Sequence, residues 1–145
     1  QNGWAHKLPD PNKENVYTSN PRPYDGYGFT DNFAINWESK LIKNEIKSFN
    51  LKLVKDHQIL NLKCINEVTK NWQTKCLNVI ILGIYIPRKE YSLLVFNINF
   101  LINLMNKGKY SILKKELLKY KNENKYIKIE KQKFNVNELI EKVII

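Results

Sequence analysis

Asp25, Glu38 and Lys40 are the residues of this chain whose types and spacing suit a hydrolytic site. Breaking a phosphodiester needs an activated water, neutralisation of the charge that builds at phosphorus, and a stabilised leaving oxygen. Mg²⁺ supplies most of this, and it prefers carboxylate oxygens while keeping several of its waters. The protein must then offer two or three carboxylates on stiff elements and a cation beside the attacking water. A lysine suits the cation's role because a neighbouring charge can draw off its proton, letting it orient or deprotonate the water. Glu38-Ser39-Lys40 ends an apolar run, and Asp25 precedes Gly26 upstream of it. Alternate strand residues share a face, so Asn36, Glu38 and Lys40 point one way while Ile35 and Trp37 point into the core. The Ser39 carbonyl is placed to complete a metal shell.

A Glu-x-Lys triplet alone says little, since this lysine-rich chain holds three: Glu38/Lys40, Glu45/Lys47 and Glu123/Lys125. Glu123/Lys125 falls in a polar turn and is set aside. Glu45/Lys47 follows Leu41-Ile42 and competes if the strand runs on, with Asp31 as its partner. Only Glu38/Lys40 closes an apolar strand with an acid ahead of a glycine-bearing hairpin. A structural ion pair is the bland alternative for it.

The elements that must position these groups follow from pattern. Residues 1–23, rich in Pro, Asn and Asp, read as an irregular N-terminal arm, and residues 24–145 as a single domain. Residues 24–29 and 33–40 form two strands joined by a turn at Thr30-Asp31-Asn32. Apolar residues at helical intervals predict an amphipathic helix over 53–68, with Leu53, Leu60 and Cys64 on one line. Leu77–Ile86 is a β-branched run suited to a strand buried on both faces, and Pro87-Arg88-Lys89-Glu90 turns it into a second strand, Tyr91–Ile98. A short helix over 99–106 stops near Lys107-Gly108, and Ser111 serves as N-cap for a helix over 112–121. Residues 126–134 alternate as a strand, with Lys128 and Glu130 outward, before Asn135 or Asn137 opens a closing helix. The sum is an α/β domain, a central mixed sheet flanked by helices.

Charge points to a polyanionic partner. Twenty-four Lys+Arg against fourteen Asp+Glu leave a net +10, which favours nucleic acid over a membrane surface. Arginine occurs only at Arg22 and Arg88, so backbone contact is expected ahead of base reading. Cys64 and Cys76 lack metal-ligand spacing, and His6 and His57 form no cluster with them. Reduced thiols and a cytoplasmic location are the expectation. The apolar runs are too short or too interrupted by Asn to span a bilayer. The chain begins at Gln1 with no signal-peptide pattern, and an N-terminal portion is expected to be missing.

Pro23-Tyr24-Asp25-Gly26-Tyr27 together with Ile35-Asn36-Trp37-Glu38-Ser39-Lys40 resembles the active-site hairpin of RecU-type Holliday-junction resolvases, within the PD-(D/E)XK nucleases, and their phage relatives. Further stretches extend the resemblance in the same order. Phe49-Asn50-Leu51 and Asp56-His57-Gln58-Ile59 resemble the family's helix with a His-Gln pair. Gly108-Lys109-Tyr110-Ser111-Ile112, after Tyr91-Ser92-Leu93-Leu94, resembles its segment before a late helix, and Ala5-His6-Lys7-Leu8-Pro9 echoes the entry to the domain. The resemblance implies a restriction-endonuclease-like fold, a homodimer, dependence on Mg²⁺ (with Mn²⁺ as a substitute), and paired cuts across four-way DNA junctions. It assigns Asp25 and Glu38 as metal ligands, Lys40 as partner of the attacking water, and Gln58 as a group beside the ligands or the substrate. Two departures stand out: the family's N-terminal helical region has no counterpart, and Asn36 stands where the family tends to carry an Asp.

Rival readings remain. One is a restriction-type or phage recombination nuclease on the same fold. Another is a basic, non-catalytic nucleic-acid-binding or ribosome-associated subunit, and a third is a nuclease inactivated by loss of its N-terminus. His57 reads as a satisfied, half-buried histidine and Trp37 as core. Trp72 and Tyr27 are open candidates for stacking on bases. Lys107, Lys109, Lys114, Lys115, Lys119 and Lys121 form either a solvated face or a phosphate-tracking one, and Arg88 reads as an exposed turn residue.

Overall fold

The computed structural model describes residues 4–7, 25–130 and 134–145. Alternation of apolar side chains builds a six-stranded sheet: β1 (Trp4–Lys7), β2 (Gly26–Phe29), β3 (Phe33–Lys43), then β5 (Lys75–Ile86), β6 (Glu90–Asn97) and β8 (Tyr126–Lys128), in that spatial order. β4 (Phe49–Asn50) and β7 (Ser111–Ile112) pair separately as a small ribbon. β3 and β5 run parallel, and every other neighbouring pair is antiparallel. A parallel pair needs a crossover, and α1 (Asp56–Thr69) provides it. α2 (Ile98–Asn106), α3 (Lys114–Asn122) and α4 (Val136–Glu141) complete the layers. The α/β architecture with a mixed central sheet is therefore present.

Both faces of the sheet are covered. Ile42, Ile80, Leu82, Ile84 and Leu94 pack with Leu62, Leu101 and Leu117 of α1, α2 and α3. The intervening residues Ile35, Trp37, Val79, Ile81 and Val95 pack with Val136, Leu139 and Val143 around α4. β5 is accordingly buried on both sides, as its unbroken apolar run predicts. The even-numbered face of β3, expected to carry chemistry alone, also contributes to a core.

Several boundaries differ from the sequence reading. Trp4–Lys7 add an edge strand against β2 instead of joining an irregular arm, while residues 1–3 and 8–23 lie outside the described residues. Leu51–Leu53 form a 3-10 turn, so α1 begins only at Asp56. Its inward stripe runs Gln58, Ile59, Leu62, Ile65, Asn66 and Thr69, whereas Leu53, Leu60 and Cys64 are exposed. The polar members of the stripe disguised it. Ser111 pairs with Asn50 in the ribbon instead of capping a helix. Leu113 takes the N-cap position of α3, and its N–H is satisfied by the Glu116 carboxylate at 2.8 Å. The strand expected over 126–134 is confined to 126–128, and 131–133 lie outside the described residues.

α2 ends as its sequence predicts. Gly108 adopts φ 74°, and the N–H groups of Gly108 and Lys109 return to the carbonyls of Met105 and Leu104, at 2.9 Å each. A residue without Cβ takes this left-handed cap at least cost. After α4, Ile144 joins the sheet edge beside β6: its N–H donates to Val95 O at 2.7 Å, and Asn97 N–H donates back to Ile144 O at 2.9 Å. No helix among the described residues is long and apolar enough to cross a membrane.

Candidate functional site

β3 organises the site. Glu38 lies on its α1 face and is only 4% exposed, so its carboxylate needs partners. Both are found on Oε1, where Lys40 Nζ donates at 2.8 Å and Gln58 Nε2 also donates. Gln58 in turn accepts from Lys40 Nζ at 3.2 Å and from the Lys55 N–H at 2.9 Å. One side chain thereby closes a Glu–Lys–Gln ring and satisfies a backbone donor at the start of α1. Among the described residues, Glu38 Oε2 takes part in no hydrogen bond. No fully buried side-chain polar atom among the described residues lacks a partner, so Oε2 is not sealed off completely.

Asp25 enters from the other side of the strand. It directly precedes β2, in the register that sets Gly26 opposite Trp37, and its N–H donates to Trp37 O at 2.8 Å. Its Oδ2 accepts from the Ser39 N–H at 2.9 Å and from Ser39 Oγ at 2.7 Å. The N–H and C=O of one strand residue leave on the same side, so the Ser39 carbonyl also faces the Asp25 edge. Two acids thus stand beside the middle of β3, Glu38 on its α1 face and Asp25 at the β2 edge on Ser39, whose side chain belongs to the opposite face. Glu38 is held through Lys40 and Gln58, and Asp25 through Ser39. Among the described residues no three His, Cys, Asp or Glu side chains gather closely enough to hold a metal by themselves.

The other singled-out residues scatter. Asn36 donates to Asn78 Oδ1 at 3.0 Å and to Cys76 Sγ at 3.5 Å, which makes it a structural amide in the sheet. Trp37 is core on the α4 face. His57 is half-buried on α1, and no hydrogen bond ties it to the ring. Glu45 and Lys47 follow Asn44, at φ 73°, as exposed residues beyond the end of β3, while Asp31 is exposed in the turn at the strand's other end. Glu123 pairs with Lys119 on the surface at 3.7 Å. Of the basic run, Lys121 is withdrawn into an ion pair with Glu90, and Lys107, Lys109, Lys114 and Lys115 are exposed.

The Glu90–Lys121 pair has its own electrostatics. Lys121 Nζ donates to both oxygens of Glu90 at 2.7 Å, and Ser92 Oγ donates to Oε1 at 2.5 Å. Burial works to raise the Glu90 pKa, but the bonds from Lys121 and Ser92 and the Lys121 charge outweigh it and hold it below the ordinary glutamate range. Burial, together with the charges of Glu116 and Glu123, pushes the Tyr120 phenol up.

One feature escaped the sequence reading. Asn36, Asn78, Asn66 and Asn99 form a continuous amide chain: Asn78 donates to Asn66, and Asn66 donates to Asn99 at 3.2 Å. Asparagines twelve or more residues apart carry no such signal, because only the parallel β3–β5 register, the crossover helix and the start of α2 align them. No protein-family model matches the chain, and a search of curated proteins gives no match.

Proposed function

We propose that this protein is a Mg²⁺-dependent, structure-selective DNA endonuclease that acts as a homodimer on four-way junctions or similar branched DNA, in recombination or repair. The observation that carries the reading is the Glu38–Lys40–Gln58 ring beside Asp25 and Ser39. Both donors share one oxygen of an enclosed acid, and among the described residues no donor is spent on the other, which leaves it able to meet a ligand.

The oxygen chemistry of these groups suits a hard cation. Asp25, Glu38 through Oε2, and the Ser39 carbonyl offer oxygen only, and so few protein ligands suit an ion that retains water. When bound, Mg²⁺ would lower the pKa of a coordinated water and neutralise charge on the phosphate. The chain's own contribution is positioning. Gln58 fixes the carboxylate from α1, and Lys40 stands beside it as a cation able to orient the attacking water. Ser39 pins Asp25 to the strand, so that neither acid depends on a loop. The net +10 supplies attraction to the phosphate backbone.

The test is incubation with synthetic four-way junction and with linear duplex, with Mg²⁺ and with chelator. Junction cleavage that needs Mg²⁺ and disappears in Asp25→Asn and Lys40→Ala, while DNA binding is retained, supports the proposal. Cleavage that survives both changes places the active site elsewhere. Binding without any metal-dependent turnover favours a non-catalytic nucleic-acid-binding subunit, in which Glu38–Lys40 is only an ion pair.

A further inference from the structure

Between the C-terminal end of α1 and the first turn of α2 lies a groove of about 480 Å³, lined by Asn66, Lys70, Trp72, Lys75, Cys76 and Asn99 among others. Trp72 is 59% exposed at its edge. Its indole face is thereby available to a partner that enters the groove. Lys70 and Lys75 are also exposed, and Lys75 lies over the Phe33 ring at 5.8 Å. Glu67 shares the groove, but its 3.9 Å contact with Lys70 is a surface pair of little strength. The inner wall is polar in an ordered way. Asn78, wholly buried, donates to Asn66, which donates to Asn99 Oδ1, so the exposed end of the chain presents the Asn99 amide N–H₂ at the groove.

We infer that this groove receives an unpaired nucleobase of a DNA strand, stacked on Trp72 and met at its edge by the Asn99 amide, with Lys70 and Lys75 on the flanking phosphates. The inference rests on the nuclease reading, for which it names a substrate subsite. Three observations converge on this occupant. The exposed indole offers a face on which any base can stack. The amide donors match the carbonyl acceptors that bases display. The flanking cations suit the backbone of a single strand. Position adds a fourth. Asn66 follows Gln58 by eight residues on one helix, a rise of about 12 Å at 1.5 Å per residue. Both project from the α1 side of the sheet. An unpaired base in the groove would therefore sit about three or four steps from a phosphate at Glu38, at 3.4 Å per step. Branched DNA whose arms fray or end in single strands can offer an unpaired base at that range, which continuous duplex does not.

The experiment measures binding by the full chain in chelator, so that cleavage plays no part. Labelled single-stranded oligothymidylate, the same strand paired into blunt duplex, and an RNA strand of equal length are titrated by fluorescence anisotropy at fixed low salt. Trp72→Ala is expected to weaken the DNA single strand roughly tenfold, while duplex affinity changes less than about twofold, and Trp72→Phe to restore most of the loss. Lys70→Ala with Lys75→Ala should flatten the salt dependence for the single strand. An unchanged single-strand affinity in Trp72→Ala, an equal loss on duplex, or a preference for RNA overturns the inference. Junction cleavage separates the two proposals. A chain that never cuts but shows the Trp72-dependent preference retires the nuclease and keeps the groove, and the converse keeps only the nuclease.

Discussion

Two lysine–glutamate pairs whose lysines are equally enclosed have been put to different ends. Lys121 grips both oxygens of Glu90, and Ser92 adds a third donor, so that neither oxygen is left without one. Lys40 and Gln58 crowd onto a single oxygen of Glu38 and leave the other open. The lysine side chains are 20% and 19% exposed, and of the acids Glu38 is the more enclosed, at 5% against 19% for Glu90, so greater exposure does not explain the open oxygen. What does is the allocation of lone pairs. The first arrangement clips α3 to the start of β6; the second is suited to sharing a ligand.

The largest effect should come from the open pair. Lys40→Ala or Asp25→Asn is expected to lower Mg²⁺-dependent junction cleavage by at least about a hundredfold, the scale of losing a positioned acid–base group, as read by gel assay of single-turnover rates. Lys121→Met should leave that rate within about twofold but lower unfolding free energy by about 2 kcal/mol, since it strips charged hydrogen bonds from an enclosed acid. Denaturant melts decide this, and a larger stability loss for Lys40→Met than for Lys121→Met would invert the comparison. Acidity offers a third handle. The folded-state pKa of Glu90 lies below its unfolded value, so its contribution is present above the ordinary glutamate range and is lost as pH falls through that range to the folded value. Stability against pH should therefore slope downward on the acid side, and Glu90→Gln should remove part of that slope. Ser92→Ala should be the mildest, about 1 kcal/mol with no effect on cleavage.

How much of this could be read beforehand depends on the distance over which each feature is encoded. The hairpin turn at Thr30-Asp31-Asn32, the doubly buried β5 and the cap at Gly108 are all local patterns, and each formed as expected. α1 was misread by face because its inward stripe mixes Ile59 and Leu62 with Gln58, Asn66 and Thr69, which a hydrophobic count passes over. Ser111 looks like a helix cap until Asn50, far away in sequence, claims it for the ribbon. Bringing Glu38 and Lys40 to one face follows from strand alternation. The hand-off of Asp25 to Ser39 does not, because it depends on where β2 ends relative to its neighbour. The amide chain was invisible for the same reason.

The alignment of β3 between its neighbours has one more consequence. A slip of a single position would swap the strand's two faces, sending Glu38 and Lys40 among Val136 and Leu139 and turning Trp37 toward Gln58. Because both layers are built mainly of apolar side chains, such a misaligned chain would carry stranded charge on one side and a displaced indole on the other, and would not persist. The same apolar walls that give the domain its cohesion thus act as a proofreader for its polar centre, rejecting misthreaded chains before they can present a faulty version of it.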